Sequence, residues 1–312
     1  MQGMHGLMSN VSRVWFAVRT VVMVGAFALA AISSSAQMTP YFSTIDRPLG
    51  KGNIMLMALP DLQKARFGPN FATGMLMAEY GITPQWTAGL MVEGEKISGL
   101  PATYGGSRVN TWFHLFQDDR LLNLTLYGEF ENLNAAALYK MEVAGFGPED
   151  LLDPLPVARH TASRTFEQRV ILYHDWERLS ASFNFVRETP LQGSRTSDYG
   201  YTCGVFVNPR SMKTASSGMS GMSGMAKASA SPTDRLGYGI EMLGALGGAN
   251  RFGIYPDEEQ HYIGPLITYD LSPRWSLRAA TAIGLTKVSD PFVLRLGVAY
   301  MFGGRRSNMG SM

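Results

Sequence analysis

The chain has 312 residues, and its 27 basic and 25 acidic side chains form no basic tract that would mark a nucleic-acid footprint. Its single cysteine, Cys203, excludes an intramolecular disulfide and any cysteine-based zinc cluster. Beyond one short apolar run near the N-terminus there is no second long one, which excludes helical membrane spans and leaves a soluble fold or a barrel.

That first run, residues 21–32, follows Arg13 and Arg19 and ends in Ser34, Ser35 and Ala36. A basic flank, a short apolar stretch and small residues at its end are the marks of a signal peptide, and the run is shorter than the roughly 20 residues that span a bilayer. Residues 1–36 are therefore read as a signal peptide cleaved before Gln37. Losing Arg13 and Arg19 leaves basic and acidic residues in balance.

From residue 53 onward the chain alternates with a period of two, the signature of strands. The expected spans are 53–59, 71–80, 86–97, 107–116, 121–131, 164–174, 179–189, 198–207, 236–246, 259–269, 275–285 and 291–302. The first is the weakest, because Ile54-Met55-Leu56-Met57 does not alternate. In the last, Phe292, Leu294, Leu296, Val298, Tyr300 and Phe302 share one face, while Val293, Arg295, Gly297, Ala299 and Met301 share the other. A sandwich strand could show the same alternation, but about ten residues is the length that crosses a bilayer at a tilt. About twelve strands, an even number, is what a bacterial barrel requires.

Two connections share a frame, Tyr80-Gly-Ile-Thr-Pro-Gln-Trp86 and Tyr269-Asp-Leu-Ser-Pro-Arg-Trp275. Proline presets φ for a tight turn, and Tyr and Trp at equal heights on either side suit an aromatic girdle at a membrane interface. Residues 117–120 and 174–178 read as short turns of the same side. Residues 132–163 form a long Pro/Gly/Ala-rich connection expected outside the cell. Residues 208–235 form a Met/Ser/Gly-rich loop that strand counting from the C-terminus places in the periplasm. Residues 37–302 are thus the barrel and 303–312 a C-terminal tail.

The signal peptide, the alternating hairpins and the aromatic-ended strand Leu294-Arg-Leu-Gly-Val-Ala-Tyr-Met-Phe302 together resemble bacterial outer-membrane β-barrel proteins. The resemblance implies an all-β, antiparallel transmembrane barrel in the bacterial outer membrane, with lipid and the barrel-assembly machinery as partners. More narrowly, Gln260-His-Tyr-Ile-Gly-Pro265 leading to Tyr269-Asp-Leu-Ser-Pro-Arg-Trp275 looks like poorly characterised barrels grouped with phenol meta-cleavage pathways. No catalytic residue carries over from that group, and the tail after Phe302 departs from its usual pattern.

Carrying the alternation inward places Glu79, Glu93, Glu95, Glu129, Glu167, Glu188 and Glu241 in the lumen with Arg108, Arg169, Arg278 and Arg295. Such a wall either lines a pathway that selects small solutes or fills a narrow barrel with cross-lumen ion pairs. Of the histidines, His114 points inward, His160 lies in a loop, His174 in a turn and His261 on an outward face. His114 has no nucleophile motif beside it, so no enzyme is expected. Met219, Met222 and Met225 sit three apart on the flexible loop, where thioethers could hold a copper ion. The same stretch also reads as a low-complexity linker, and no other cofactor is indicated. Three roles remain open at this point: a passive porin-like pathway, copper capture by the Met-rich loop, or a structural barrel without conduction.

Overall fold

The computed structural model describes residues 49–66, 68–115, 122–134, 163–176, 178–192, 196–209, 232–272 and 274–303. The signal-peptide reading, Met219, Met222, Met225 and residues 304–312 of the tail lie outside them, as do His160 and residues 135–162 of the long connection.

The described strands are β1 (Ile54–Lys64), β2 (Phe71–Gly81), β3 (Trp86–Ile97), β4 (Ala102–His114), β5 (Asn123–Leu133) and β6 (Ser163–Trp176). They continue as β7 (Leu179–Pro190), β8 (Asp198–Val207), β9 (Leu236–Gly248), β10 (His261–Asp270), β11 (Trp275–Gly284) and β12 (Phe292–Phe302), with one 3-10 turn at Pro232–Arg235. Each pairs antiparallel with its chain neighbours, and β1 pairs with β12, so the sheet closes on itself. Closure leaves no strand edge with unpaired backbone groups, the condition for a sheet surrounded by lipid.

The alternation that makes these segments strands also sorts their side chains. Leu76, Leu90, Val109, Leu126, Phe183, Ile240, Ile267, Ile283 and Leu296 stand exposed on the outer surface, and Leu76 reaches 65% exposure. A band of large apolar side chains around a closed sheet is costly in water and matched to hydrocarbon. No described helix is long and apolar enough to cross a membrane.

The β2–β3 and β10–β11 turns with the shared Tyr…Trp frame lie at the barrel end that also receives the start of β1 and the end of β12. In the first, Ile82 N donates to Trp86 O at 2.8 Å; in the second, Ser272 N donates to Trp275 O at 3.2 Å and Trp275 N to Ser272 Oγ at 3.1 Å. Tyr80, Trp86, Trp176 and Phe302 are exposed at this end, which places aromatic side chains around its outer rim. Four strands separate the C-terminus from residues 208–235, so that connection leaves from the same end.

Most boundaries lie within one or two residues of the sequence reading, and four differences bear on the inner wall. β1 runs through Pro60 to Lys64; its pairing with β12 is interrupted at Leu59 and Pro60, where proline has no N–H to give, and resumes in the same register at Asp61↔Arg295, while pairing with β2 continues. β4 begins at Ala102 rather than residue 107, and the extra length includes a bulge at Gly105, left unpaired between Glu93↔Gly106 and Gly94↔Tyr104. Residues 132 and 133 complete β5 and residue 163 opens β6, so the long connection is shorter than 132–163. His174 belongs to β6 rather than a turn, with its ring 4.4 Å from that of Trp176.

Candidate functional site: the inner wall

Every second residue of each strand faces inward, and that wall divides by chemistry. On β8–β12 Phe206, Leu243, Tyr262, Leu266, Ala280, Ala282 and Val293 form an apolar patch, joined by Ile171 and Tyr173 from β6 and bordered by Glu241, Arg278 and Arg295. Where β1 closes against β12, Met55, Met57, Ala299 and Met301 pack together with Met77. Met57, Met77 and Met91 are direct neighbours across β1, β2 and β3, and Arg278 Nη2 donates to Met57 Sδ at 3.3 Å. The sequence reading gave weight to the loop methionines and missed this inner group, because pairing across strands cannot be seen along the chain.

The remaining wall is charged. Glu79, Glu93, Glu95, Glu129, Glu167, Glu188, Glu241, Arg108 and Arg278 are buried; Arg169 and Arg295 are nearly so. Two further carboxylates, Asp61 and Glu131, join them. Asp61 lay beyond the expected end of the first strand, and the sequence reading did not place Glu131, the last residue of its span, on the inner wall.

Several of these charges meet in close groups. Arg108 faces three carboxylates at once: Glu93 at 2.7 Å, Glu131 at 2.9 Å and Glu129 at 3.2 Å. The register explains this, since Arg108 stands opposite Glu131 and one diagonal step from Glu129. Tyr127 Oη donates to Glu129 at 2.5 Å, and Thr165 Oγ1 donates to Glu131 at 2.6 Å. Arg169 contacts Glu167 at 2.5 Å, and Arg295 grips Asp61 with Nε at 2.7 Å and Nη2 at 2.5 Å. The fork geometry makes the last pair bidentate.

Glu79 differs. It is 3% exposed, and its Oε2 has no hydrogen-bond partner. Gly89 beside it leaves room: a Cβ there would press on Asn110 Oδ1 and lie 3.2 Å from Glu79 Cγ. Asn184 is fully buried on β7 with neither amide atom hydrogen-bonded, and the hydroxyls of Ser182 and Thr202 nearby are in the same condition.

His114 faces inward at the end of β4, fully buried, with Nδ1 2.8 Å from Thr125 Oγ1. His261 occupies an outward register position yet is buried. It lies against Gly244, and its Nδ1 is 3.1 Å from Tyr201 Oη, so the two rings cover the glycine between them. The small neighbour is what hides an outward-facing ring, and the alternation of β10 alone could not reveal it.

At the barrel end opposite the start of β1 and the end of β12, the β11–β12 connection is fastened to the wall. Asp290 accepts from Gln63 Nε2 and, at 2.7 Å, from Arg66 N, while its own N–H donates to Tyr262 Oη at 3.0 Å. Burial pushes the Asp290 carboxyl up from the ordinary carboxylate range, opposed by these hydrogen bonds and by Arg66.

No protein-family model and no curated protein matches the chain. Among solved structures, the KdgM porin shares 8% identity at a TM-score of 0.49, covering 80% of this chain and 99% of the porin. The translocator domain of the autotransporter NalP from Neisseria meningitidis shares 6% identity at a TM-score of 0.41, over 94% and 96% of the two chains. The outer membrane protein Omp33 of Acinetobacter baumannii shares 8% identity at a TM-score of 0.39, over 81% and 99%. The likeness concerns the barrel fold alone, which the hydrogen-bond register of this chain already establishes.

Proposed function

We propose that the mature chain sits in the bacterial outer membrane and conducts small solutes passively along its inner wall. The apolar exterior supports the membrane placement, and a closed strand barrel is the form in which outer-membrane proteins cross. The observation that carries the conducting role is the set of buried, inward polar atoms with no hydrogen-bond partner among the described residues, on Glu79, Ser182, Asn184 and Thr202. Leaving a buried polar group unsatisfied costs about 1–3 kcal/mol. A barrel evolved only to fill its interior would pair such groups or replace them with apolar ones; a wall whose inward side chains part to admit water and solute satisfies them when it opens. The lumen residues of that pathway are Glu79, Glu93, Glu95, Arg108, Glu129, Glu167, Arg169, Glu241, Arg278 and Arg295.

Lipid and the assembly machinery that inserts strand barrels are the partners this reading requires. The grouping with barrels of phenol meta-cleavage pathways rests on residues 260–275 and stays within the proposal. Swelling of proteoliposomes in iso-osmotic solutions of sugars of increasing size, and of phenol, tests both parts. Swelling faster than in protein-free vesicles supports the pathway, and its absence with folded protein contradicts it. A clear preference for phenol over sugars of similar size supports the narrower grouping.

A further inference from the structure

The inner carboxylates are not scattered. Following the hydrogen-bonded partners across the sheet from Glu79 gives Gly89, Asn110, Glu129, Glu167 and Glu188 on successive strands β2 to β7. Glu79 lies two residues from the end of β2, at the barrel end where β1 starts and β12 ends; Glu188 lies two residues from the end of β7, at the opposite end. Because barrel strands are tilted, a single register row climbs the wall as it circles. This row is an acidic ramp running from one mouth to the other, interrupted by a glycine and an asparagine.

The arginines do not balance it. Among the described residues the buried inward carboxylates outnumber the inward guanidiniums about two to one. Arg108 alone is shared by three of them, and Glu79, nine-tenths buried and aimed into the interior at the foot of the ramp, has a carboxylate oxygen with no hydrogen-bond partner. An excess of fixed negative charge inside low-dielectric walls raises the local concentration of positive ions and repels negative ones.

We propose that the pathway is selective for cations, inorganic or organic, and that the ramp Glu79–Glu129–Glu167–Glu188 carries the selectivity. This rests on the conducting role proposed above. It assigns the class of solute: positively charged species pass from carboxylate to carboxylate along one side of the wall, while the apolar face of β8–β12 faces the body of the solute. Anionic solutes are disfavoured.

The test is the reversal potential of refolded full-length protein in planar bilayers under a KCl gradient. In dilute salt the expected cation-over-anion permeability ratio is on the order of ten, and it falls toward unity as salt rises to about 1 M and shortens the screening length to about 3 Å. Glu79→Gln should lower the ratio several-fold. Glu79→Lys should lower it further. Folding of each variant is checked by heat-modifiable gel migration, and the wild-type measurement stands even if a variant does not fold. Conductance with a ratio of one or below, or a ratio indifferent to Glu79→Lys, overturns the inference and leaves the conducting role intact. Folded protein without conductance overturns both.

Discussion

Arginine placed at Leu76 separates a lipid-facing barrel from a soluble one. Leu76 is the central residue of β2, outward-facing and 65% exposed, beside the outward Val92 of β3. In water, an arginine at so exposed a position should change stability by no more than about 0.5 kcal/mol. In a bilayer the same side chain near the midplane costs about 2–4 kcal/mol, falling to about 0–1 kcal/mol close to the interface. Tyr80 supplies the internal comparison: it is on the same face, 48% exposed, and four residues nearer the turn, a displacement of roughly 13 Å along the strand. Leu76→Arg should therefore destabilise the folded protein by about 2–4 kcal/mol and Tyr80→Arg by about 1 kcal/mol or less. Urea-driven unfolding from lipid vesicles, followed by tryptophan fluorescence and by gel migration, gives both values. Equal effects at the two positions, or an effect at Leu76 within about 0.5 kcal/mol of zero, would refute the bilayer placement.

The register of the closing strand has its own check: Leu296→Arg should impair assembly far more than Gly297→Ser, because Leu296 is exposed on the outer face while Gly297 faces inward opposite Arg278; equal effects would mean a one-residue slip. Arg108→Gln strands three buried carboxylates and should cost about 3–5 kcal/mol, with much of that recovered when Glu129 and Glu131 are also changed to Gln, as measured by urea unfolding. Asp290 gives a pH dependence: its folded carboxyl is raised, so its contribution to stability is complete below the unfolded aspartate range and is lost as pH rises through the raised value. Asp290→Asn should flatten that fall in unfolding profiles, and an unchanged profile would remove Asp290 as its source. Finally, Ser223→Cys in a Cys203→Ser background should escape a membrane-impermeant maleimide on intact cells if residues 208–235 are periplasmic; strong labelling without permeabilisation would place them outside.

The strands were legible because lipid and lumen impose opposite demands on alternate residues, so β3 and β8 begin and end where the alternation does. Where another effect intervenes, the pattern misleads. The first span was expected to stop at residue 59, yet β1 runs on through Pro60, which lacks a β12 partner, to deliver Asp61 to Arg295. Inward direction could be read along each strand, but not which charges meet: Arg108 and Glu93 become diagonal neighbours only through the β3–β4 register, in which Arg108 pairs with Met91 and Glu93 with Gly106. The acidic ramp is a property of pairing offsets across six strands, and the concealment of His261 depends on Gly244 in a different strand. Neither is written in the order of residues along the chain.

The most direct measurement of the conducting role is single-channel recording of refolded, full-length protein in planar bilayers, on samples whose folding is verified by gel migration. The polar inner wall predicts stepwise, ohmic current increments whose size rises with salt concentration. Folded protein that inserts and yields no steps would contradict the conducting role and leave a barrel whose interior serves structure alone.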